Sequence, residues 1–432
     1  MDYKTVSAAE AVKLVRSGDS IIVQGSTSVP MCLLKALTER AAELRDVKLV
    51  SGFAIHPEGA PYAKKEYMDS FRALSIFVPN YLRQAMRDGT ADTIPVFLGE
   101  VPSLIRNGQI GSEVAMLQVS TPDEEGYCSF GISADIITAG LEKARVILAQ
   151  MNSYVPHTQG NAKIHVSKLT AIVRLDEPIV EVPTPVPSEI ETKIGNYIAA
   201  EIPDGATLQI GVGGIPNAVI NKLSNHQHLG LHTEAITDGV LPLIQKGVID
   251  NSLKKILPGK SVGSLTLGSR QLYDYMDYNK DIEIYDVAFT NDPYVIRQNP
   301  KVMSINSAIE VDLTGQICAD SIGETVISGV GGQHDFFYGA SMSEGGKCFL
   351  ALTSMTNKGQ SKIVPHLAPG AGVVTTRFQA QYIVTEHGIV YLRNLPLAER
   401  AKALISIADP SVREELERAA VQRFGMSFLR LK

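Results

Sequence analysis

A carboxylate at the end of a short apolar strand, close in sequence to glycine-rich turns, is a candidate for chemistry on a carbonyl group. Glu234 is such a residue. It stands in Gly230-Leu231-His232-Thr233-Glu234-Ala235-Ile236-Thr237-Asp238-Gly239. Leu229–Leu231 reads as a buried strand and Asp238-Gly239 opens the next element. Glu234 therefore falls at the carboxyl end of a strand, where open α/β sheets place their sites. There a glutamate can serve as nucleophile, as general base or as a buried ion-pair partner. As a nucleophile it is already ionised at neutral pH, and it needs N–H donors for the developing oxyanion.

Three glycine-rich turns follow the same logic: Gly211-Val212-Gly213-Gly214-Ile215-Pro216-Asn217, Ser328-Gly329-Val330-Gly331-Gly332-Gln333-His334-Asp335-Phe336, and Pro369-Gly370-Ala371-Gly372. Glycine lets backbone approach a ligand and aim its N–H groups at negative charge. The first loop joins a strand to a helix, the place for anion binding. Pro216 takes the last glycine position of G-x-G-x-x-G, so it is no dinucleotide fingerprint. Gly259-Lys260-Ser261 has Lys254 where a Walker A motif needs its first glycine. The three loops together point to a polyanionic cofactor; each alone is also an ordinary tight turn.

Other reactive residues carry less. His226, His228 and His232 do not have the spacing of a compact zinc set, so no metal is expected. Gly259-Lys260-Ser261-Val262-Gly263 matches G-x-S-x-G, but Pro258 precedes it and Ser264–Leu267 reads as strand after it, whereas a nucleophile elbow needs strand then helix. His387, in Glu386-His387-Gly388, reads as structural or as half of an acid/base dyad. His165 alternates with apolar neighbours, facing a cleft or the core.

These residues are carried by a duplicated scaffold. Aligning Pro30 with Pro216 superposes Gly25 on Gly211 and the apolar positions around them. Both copies read as strand, glycine turn, proline, helix, then a second strand at Val47–Gly52 or Leu229–Glu234. Gly52 stands roughly where Glu234 stands, so one copy carries the carboxylate and the other shapes its site. Strands are expected at Ser20–Gln24, Val47–Ser51, Val114–Val119, Val146–Ala149, Thr207–Ile210, Val302–Ile305, Lys347–Ala351 and Tyr382–Thr385, and helices at Ala8–Arg16 and Val412–Phe424. Several strands are apolar almost throughout, as in a parallel sheet covered on both faces. The fold class is α/β, with two similar open α/β/α domains. Glu177–Pro187, with four prolines, reads as an extended linker, dividing the chain into domains 1–185 and 186–432, the second carrying Glu234. The tail from Leu395 reads as helices packed on the second domain.

Composition agrees with an ordinary globular enzyme: 432 residues, 44% hydrophobic, 20% charged, net charge −6. A basic nucleic-acid surface is not expected, and no apolar run is long enough to span a bilayer. The four cysteines form no CxxC pair, and the N-terminus lacks a signal-peptide core, so a cytoplasmic protein with free thiols is expected.

The chain resembles the acetyl-CoA hydrolase/transferase family of glutamate-dependent CoA-transferases, most of all its 4-hydroxybutyrate and butyryl-CoA:acetate branch. The stretches that carry this are Gly211–Asn217, Leu231–Gly239, Tyr285–Pro293, Ser304–Gly323, Ser328–Phe336 and Thr385–Gly388, with Gly126–Gly131 and Gln150–Pro156 in the first half. They span nearly the whole chain in order. The resemblance implies transfer of CoA from a short-chain acyl-CoA to a carboxylate by a ping-pong route through a glutamyl-CoA thioester at Glu234. It implies oxyanion donation by the N–H groups of Val212 and Gly331. It also implies CoA contacts along Gly211, Val212, Gly213, Gly214 and Ile215, at Ile309, Gly331 and Gly332, and near Lys358. CoA and acyl-CoA would then be substrates, with no permanently bound cofactor, and the assembly a homodimer or higher homo-oligomer. Some relatives carry a His-Ala-x-Gly-Glu-Pro-like loop in the first half. Here it reads Gln24–Pro30, and the Ser26 and Thr27 hydroxyls are expected to face the acyl pocket. Two other readings of the same residues are an acyl-CoA hydrolase and a non-catalytic CoA-binding sensor.

Overall fold

Apolar runs of the first half assemble into a seven-stranded, all-parallel sheet. Its order is Ala171–Arg174, Val146–Met151, Val114–Val119, Ser20–Val23, Val47–Ser51, Phe71–Ser75, Ala91–Thr93. The computed structural model describes residues 3–431. Val114–Val119 and Val146–Met151 are buried at every position, as strands covered on both faces must be. Helix Met31–Thr38 buries Leu33, Leu34 and Leu37, one stripe at i, i+1 and i+4. The expected helix Ala8–Arg16 is shorter: α-helix at Ala8–Ala11, then a 3₁₀ turn at Val12–Leu14. A Ser7–Glu10 capping box starts it. Val15 is already extended ahead of the turn at Gly18, where φ is +81°.

The second half builds a six-stranded sheet in the order Gly230–Leu231, Thr207–Ile210, Val302–Ser307, Lys347–Ala351, Tyr382–Thr385, Gly388–Tyr391, parallel except for the last pair. The duplication is visible in these orders. From Val47–Ser51 the first sheet runs through Ser20–Val23, Val114–Val119, Val146–Met151 and Ala171–Arg174. From Gly230–Leu231 the second runs through Thr207–Ile210, Val302–Ser307, Lys347–Ala351 and Tyr382–Thr385 in the same chain order. Helices Leu397–Ser406 and Arg413–Phe424 complete this half. Their Leu404, Ile405, Leu416 and Ala420 are buried with Val311, Leu313, Ile383 and Leu392.

By contacts, the chain divides into two units, and the division is not a single cut. The first unit holds the residues up to Pro183 together with Glu234–Asp238 and Lys260–Asp292. The second holds Thr184–Thr233, Gly239–Gly259 and Pro293–Lys432. Two segments of the later sequence, one of them containing Glu234, thus fold with the first half. They form the parallel pair Ala235–Thr237 with Leu265–Leu267, and strands Ser261–Gly263 and Ile282–Ile284 beside Gln159–Gly160. Ser261 is buried at the start of a strand and strand follows it, so there is no nucleophile elbow. Among the described residues no helix is long and apolar enough to cross a membrane.

One packing contact of the second unit governs its glycine loop. Helix Glu189–Ala200, started by a Ser188–Glu191 capping box, lies against helix Gly214–Ile220 so closely that a methyl at Gly195 would stand 2.8 Å from the Ala218 backbone. The Glu191 carboxylate fills the space where a side chain at Gly214 would go. Gly195→Ala should therefore cost about 1–3 kcal/mol by overpacking and lower Tm by several degrees. Thermal unfolding checks this, and an unchanged Tm would show that the helices separate without penalty.

Candidate active site

Glu234 is placed by Thr233 on one side and by Ser264 and Leu265 on the other. The buried Thr233 hydroxyl exchanges 3.2 Å hydrogen bonds with the Ile210 N–H and carbonyl, continuing the pairing past Leu231. The Glu234 carbonyl accepts from Ser264 N at 2.9 Å, Leu265 N at 3.0 Å and Ser264 Oγ at 3.1 Å. Three donors on one carbonyl fix the main chain. The half-buried side chain is met by a wholly buried amide: Asn291 Nδ2 donates to Glu234 Oε2 at 3.0 Å. A carboxylate so held is oriented and partly desolvated, as a nucleophile requires.

Asn291 is itself placed by the one-turn helix Val287–Thr290, to whose first carbonyl its N–H returns at 3.0 Å. Asp286 caps that helix by accepting from Phe289 N at 3.2 Å, and Arg106 stands 3.6 Å from its other oxygen. Burial raises the Asp286 carboxyl above its usual range, and Arg106 opposes this. Sequence reading did not single out Asn291. Its only signal was membership of the Tyr285–Pro293 stretch.

Strand register refines the comparison of the two copies. Leu208 pairs with Leu231 and its counterpart Ile22 with Val50, so three residues further on Glu234 corresponds to Phe53, one beyond Gly52. Phe53, Ile55 and Val182 pack on Ala235, Leu265 and Leu267, giving an apolar wall beside the carboxylate's strand. Ser26 and Thr27 are also in the first unit, both buried. Ser26 has φ +56°, and its hydroxyl donates to Thr266 O at 2.8 Å; Thr27 Oγ1 lies 3.4 Å from the Tyr273 hydroxyl. Both hydroxyls are thus engaged within the protein.

The glycine residues belong to the second unit. Gly211 follows strand Thr207–Ile210 and donates to Ile305 O at 2.9 Å; Gly213, at φ +136°, precedes helix Gly214–Ile220, which includes Ile215. The Val212 side chain is half exposed, at 51%. Gly331, at φ +54°, and Gly332 lead into helix Gln333–Met342. Ile309 donates to Cys318 O at 2.9 Å. Lys358 is exposed on a turn in which Thr356 N donates to Gln360 O.

The same unit holds a charged cluster that the sequence hinted at only through Glu386-His387-Gly388. The Glu386 carboxylate accepts from Ser354 N at 2.9 Å and Ser354 Oγ at 2.6 Å. Burial lowers the Lys362 pKa, opposed by Glu386 and Glu191, and its ammonium donates to Thr353 Oγ1 at 2.8 Å. His387 Nε2 stands 3.6 Å from Asp409. His226 contacts Ile202 O and His228 contacts Asp250, while His232 lies edge-on to Phe336. Among the described residues no group of three His, Cys, Asp or Glu is arranged to hold a metal ion.

Residues 1–183 match the family model described as the acetyl-CoA hydrolase/transferase N-terminal domain, and residues 268–420 the model of its C-terminal domain. The chain belongs to the acetyl-CoA hydrolase/transferase family. It is 45% identical over 419 residues to a succinyl-CoA:acetate/propanoyl-CoA:succinate CoA transferase of Fasciola hepatica, covering 96% of this chain and 87% of that one. It is 40% identical to a 4-hydroxybutyrate coenzyme A transferase of Clostridium kluyveri, covering 98% of each. Among solved structures, RipA from Yersinia pestis is 33% identical with a TM-score of 0.91, over 98% of this chain and 97% of that one. These full-length relatives of the acetyl-CoA hydrolase/transferase family include several named CoA-transferases. The two family models leave residues 184–267 between them, and that interval contains Gly211–Ile215 and Glu234.

One acid of the first unit stands apart. Asp135 is wholly buried, and burial pushes its carboxyl up to about 6 from its usual 3.8, although the amides of Ile136, Ile137 and Gly25 favour the charged form. The folded protein keeps a proton there that the unfolded chain releases between about pH 4 and 6. This group's contribution to stability is therefore full below about pH 4 and lost as pH rises through about 6. The difference corresponds to about 3 kcal/mol. Asp135→Asn, which cannot ionise, should gain on the wild type by up to that amount between pH 4 and pH 7. Urea midpoints at the two pH values check this, and an equal difference at both would refute it.

Proposed function

We propose that this chain transfers CoA from a short-chain acyl-CoA to a carboxylate, with Glu234 as the nucleophile. The observation that carries the reading is the half-buried Glu234 carboxylate held by the buried Asn291 amide. Glu234 Oε attacks the thioester carbonyl carbon, the C–S bond breaks, and CoA thiolate leaves an acyl-glutamyl anhydride. The thiolate then attacks the glutamyl carbonyl, releasing the first acid as its carboxylate and leaving a glutamyl-CoA thioester. A second carboxylate takes the sequence in reverse. Carboxylate replaces carboxylate throughout, so the exchange is near thermoneutral and needs no ATP.

In this reading the N–H groups of Val212 and Gly331 stabilise the oxyanions. Gly211–Ile215, Ile309, Gly331, Gly332 and Lys358 contact CoA, and Ser26 and Thr27 help shape the acyl pocket. The pair of acids assigned is butyrate or 4-hydroxybutyrate with acetate. The names of the Clostridium kluyveri relative and of the butyryl-CoA:acetate CoA-transferase of Anaerostipes caccae, 36% identical, support that choice. We further assign a cytoplasmic enzyme working as a homodimer or higher homo-oligomer; its four free cysteines agree with a reducing compartment.

The test is intact-mass spectrometry after mixing with butyryl-CoA or acetyl-CoA, then borohydride reduction and peptide mapping. A CoA adduct or its reduced product on the Glu234 peptide supports the transferase. Acid release in the absence of any acceptor carboxylate, with no adduct, would make the protein a hydrolase. Binding without turnover would make it a sensor.

A further inference from the structure

Two elements meet at Glu234, and both are gripped by the same short segment of the first unit. Ala134 N donates to Ser264 O at 2.9 Å, and Ser133 bridges to Leu265; Ser264 and Leu265 are the donors to the Glu234 carbonyl. On the other side Val287 N donates to Asp135 O at 3.1 Å, and Val287 opens the helix whose end carries Asn291. Segment 133–135 is therefore the common support of the nucleophile and of its amide partner.

The support is set by the Asp135 carboxylate. Its Oδ1 accepts from Ile136 N at 2.6 Å and Ile137 N at 3.2 Å. Its Oδ2 is wedged against two glycines: a methyl at Gly52 would stand 3.0 Å from it, and one at Gly25 would overlap it. Gly25 directly precedes Ser26, and Gly52 directly precedes Phe53 of the apolar wall. The equivalent place in the second unit is instructive. Helix Ile137–Lys143 precedes strand Val146–Met151 as helix Gln333–Met342 precedes strand Lys347–Ala351. Where the second unit has Gly331-Gly332 before its helix, the first has Asp135-Ile136. The first copy thus fills with its own carboxylate a place that the second leaves to bare glycine. Burial outweighs the amides that favour the charge, so the acid is kept there at a cost to stability.

We propose that Asp135 is a positioning residue for the transfer reaction. Held by the Ile136 and Ile137 amides and wedged against Gly25 and Gly52, its carboxylate fixes segment 133–135 and through it the geometry of Glu234 against Asn291. The proposal rests on the reading of Glu234 as nucleophile. Misplacing a reacting group by about 1 Å costs on the order of 10²-fold in rate.

The experiment compares wild type, Asp135→Asn and Gly52→Ala in steady-state exchange and in the single-turnover rate of glutamyl-CoA formation, with Tm and CoA affinity alongside. Gly52→Ala displaces the carboxylate by setting a methyl 3.0 Å from Oδ2, while residue 135 itself stays an aspartate. The expected result is a folded Asp135→Asn with kcat and adduct formation both lowered about 10- to 100-fold, and KM for acyl-CoA within about twofold. Gly52→Ala should show the same pattern, and the double variant should be little worse than either, because both act on one device. Folded variants with kcat within about twofold of wild type, or with raised KM and unchanged kcat, overturn the proposal. So does collapse of the fold in both variants, which would make Asp135 a residue of general stability. If wild type itself forms no adduct at Glu234, the reading of the nucleophile has failed. If it does, and Asp135→Asn forms it equally fast, only the positioning role has.

Discussion

Glu234→Gln should abolish CoA exchange while leaving acyl-CoA binding close to that of the wild type. The substitution keeps size and shape but removes the charge, and a carboxamide oxygen is a poor nucleophile toward a thioester. It also cannot form the anhydride from which the thiolate collects its new partner, so both halves of the ping-pong cycle are lost together. Replacing a covalent nucleophile costs on the order of 10⁴- to 10⁶-fold. The fold has little reason to suffer. The main chain of residue 234 is held by Ser264 and Leu265, not through its side chain, and Asn291 can still donate to the amide oxygen. The measurement is exchange of label between acyl-CoA and free acid, with CoA affinity measured on the same sample. Exchange above about one per cent of wild type would remove Glu234 from the nucleophile's role.

Asn291→Asp should follow in size, with a loss of about 10²- to 10³-fold at neutral pH. The wild-type amide donates to Glu234 Oε2 at 3.0 Å from a site with no solvent exposure. An aspartate there removes the donor and sets two carboxyls side by side. Two such groups cannot both ionise at ordinary pH, so one pKa rises strongly and the pair shares a proton. With a raised pKa, the nucleophile is ionised only at higher pH, so the variant's rate should climb with pH where the wild type is already level. Asn291→Ala loses the donor without adding the charge, and should cost less and show no displaced acid limb. Parallel kcat/KM profiles against pH decide this. Superimposable profiles for wild type and Asn291→Asp would show that residue 291 does not act on the reacting carboxylate.

The sequence carried the strands of both sheets because they are buried on both faces. Val114–Val119 and Val146–Met151 have no polar side to disguise them, and the boundaries expected for most strands hold to within a residue or two. It carried the duplication because strand, glycine and proline recur at matching intervals. Ala8–Arg16 came out too long because Val15 keeps the apolar spacing of the helix although the chain is already extended there, ahead of the turn at Gly18. The partners of Glu234 were out of reach for a different reason. Asn291 is separated from it by 57 residues, and Asp135 by a longer stretch still. A single buried polar side chain leaves no periodic trace. The offset between Gly52 and Phe53 is set by hydrogen-bond register, which alignment of residue types does not fix.

The division of the chain bears on how the protein can be made. It passes from one unit to the other after Pro183, Thr233, Asp238, Gly259 and Asp292. A ribosome that has released the first 183 residues has delivered the whole seven-stranded sheet but not Glu234 and Ser264 with the strands that follow them, nor the helix end that carries Asn291. The first unit must wait, with its Phe53 and Ile55 wall uncovered, while about 110 further residues emerge, a pause of roughly 5–20 s at ordinary elongation rates. During that interval the nascent chain exposes an apolar face, a target for chaperones. A polypeptide severed after Pro183 yields a first piece that lacks Glu234–Asp238 and Lys260–Asp292 of its own unit, and a second piece that carries those two segments away from the sheet they fold with.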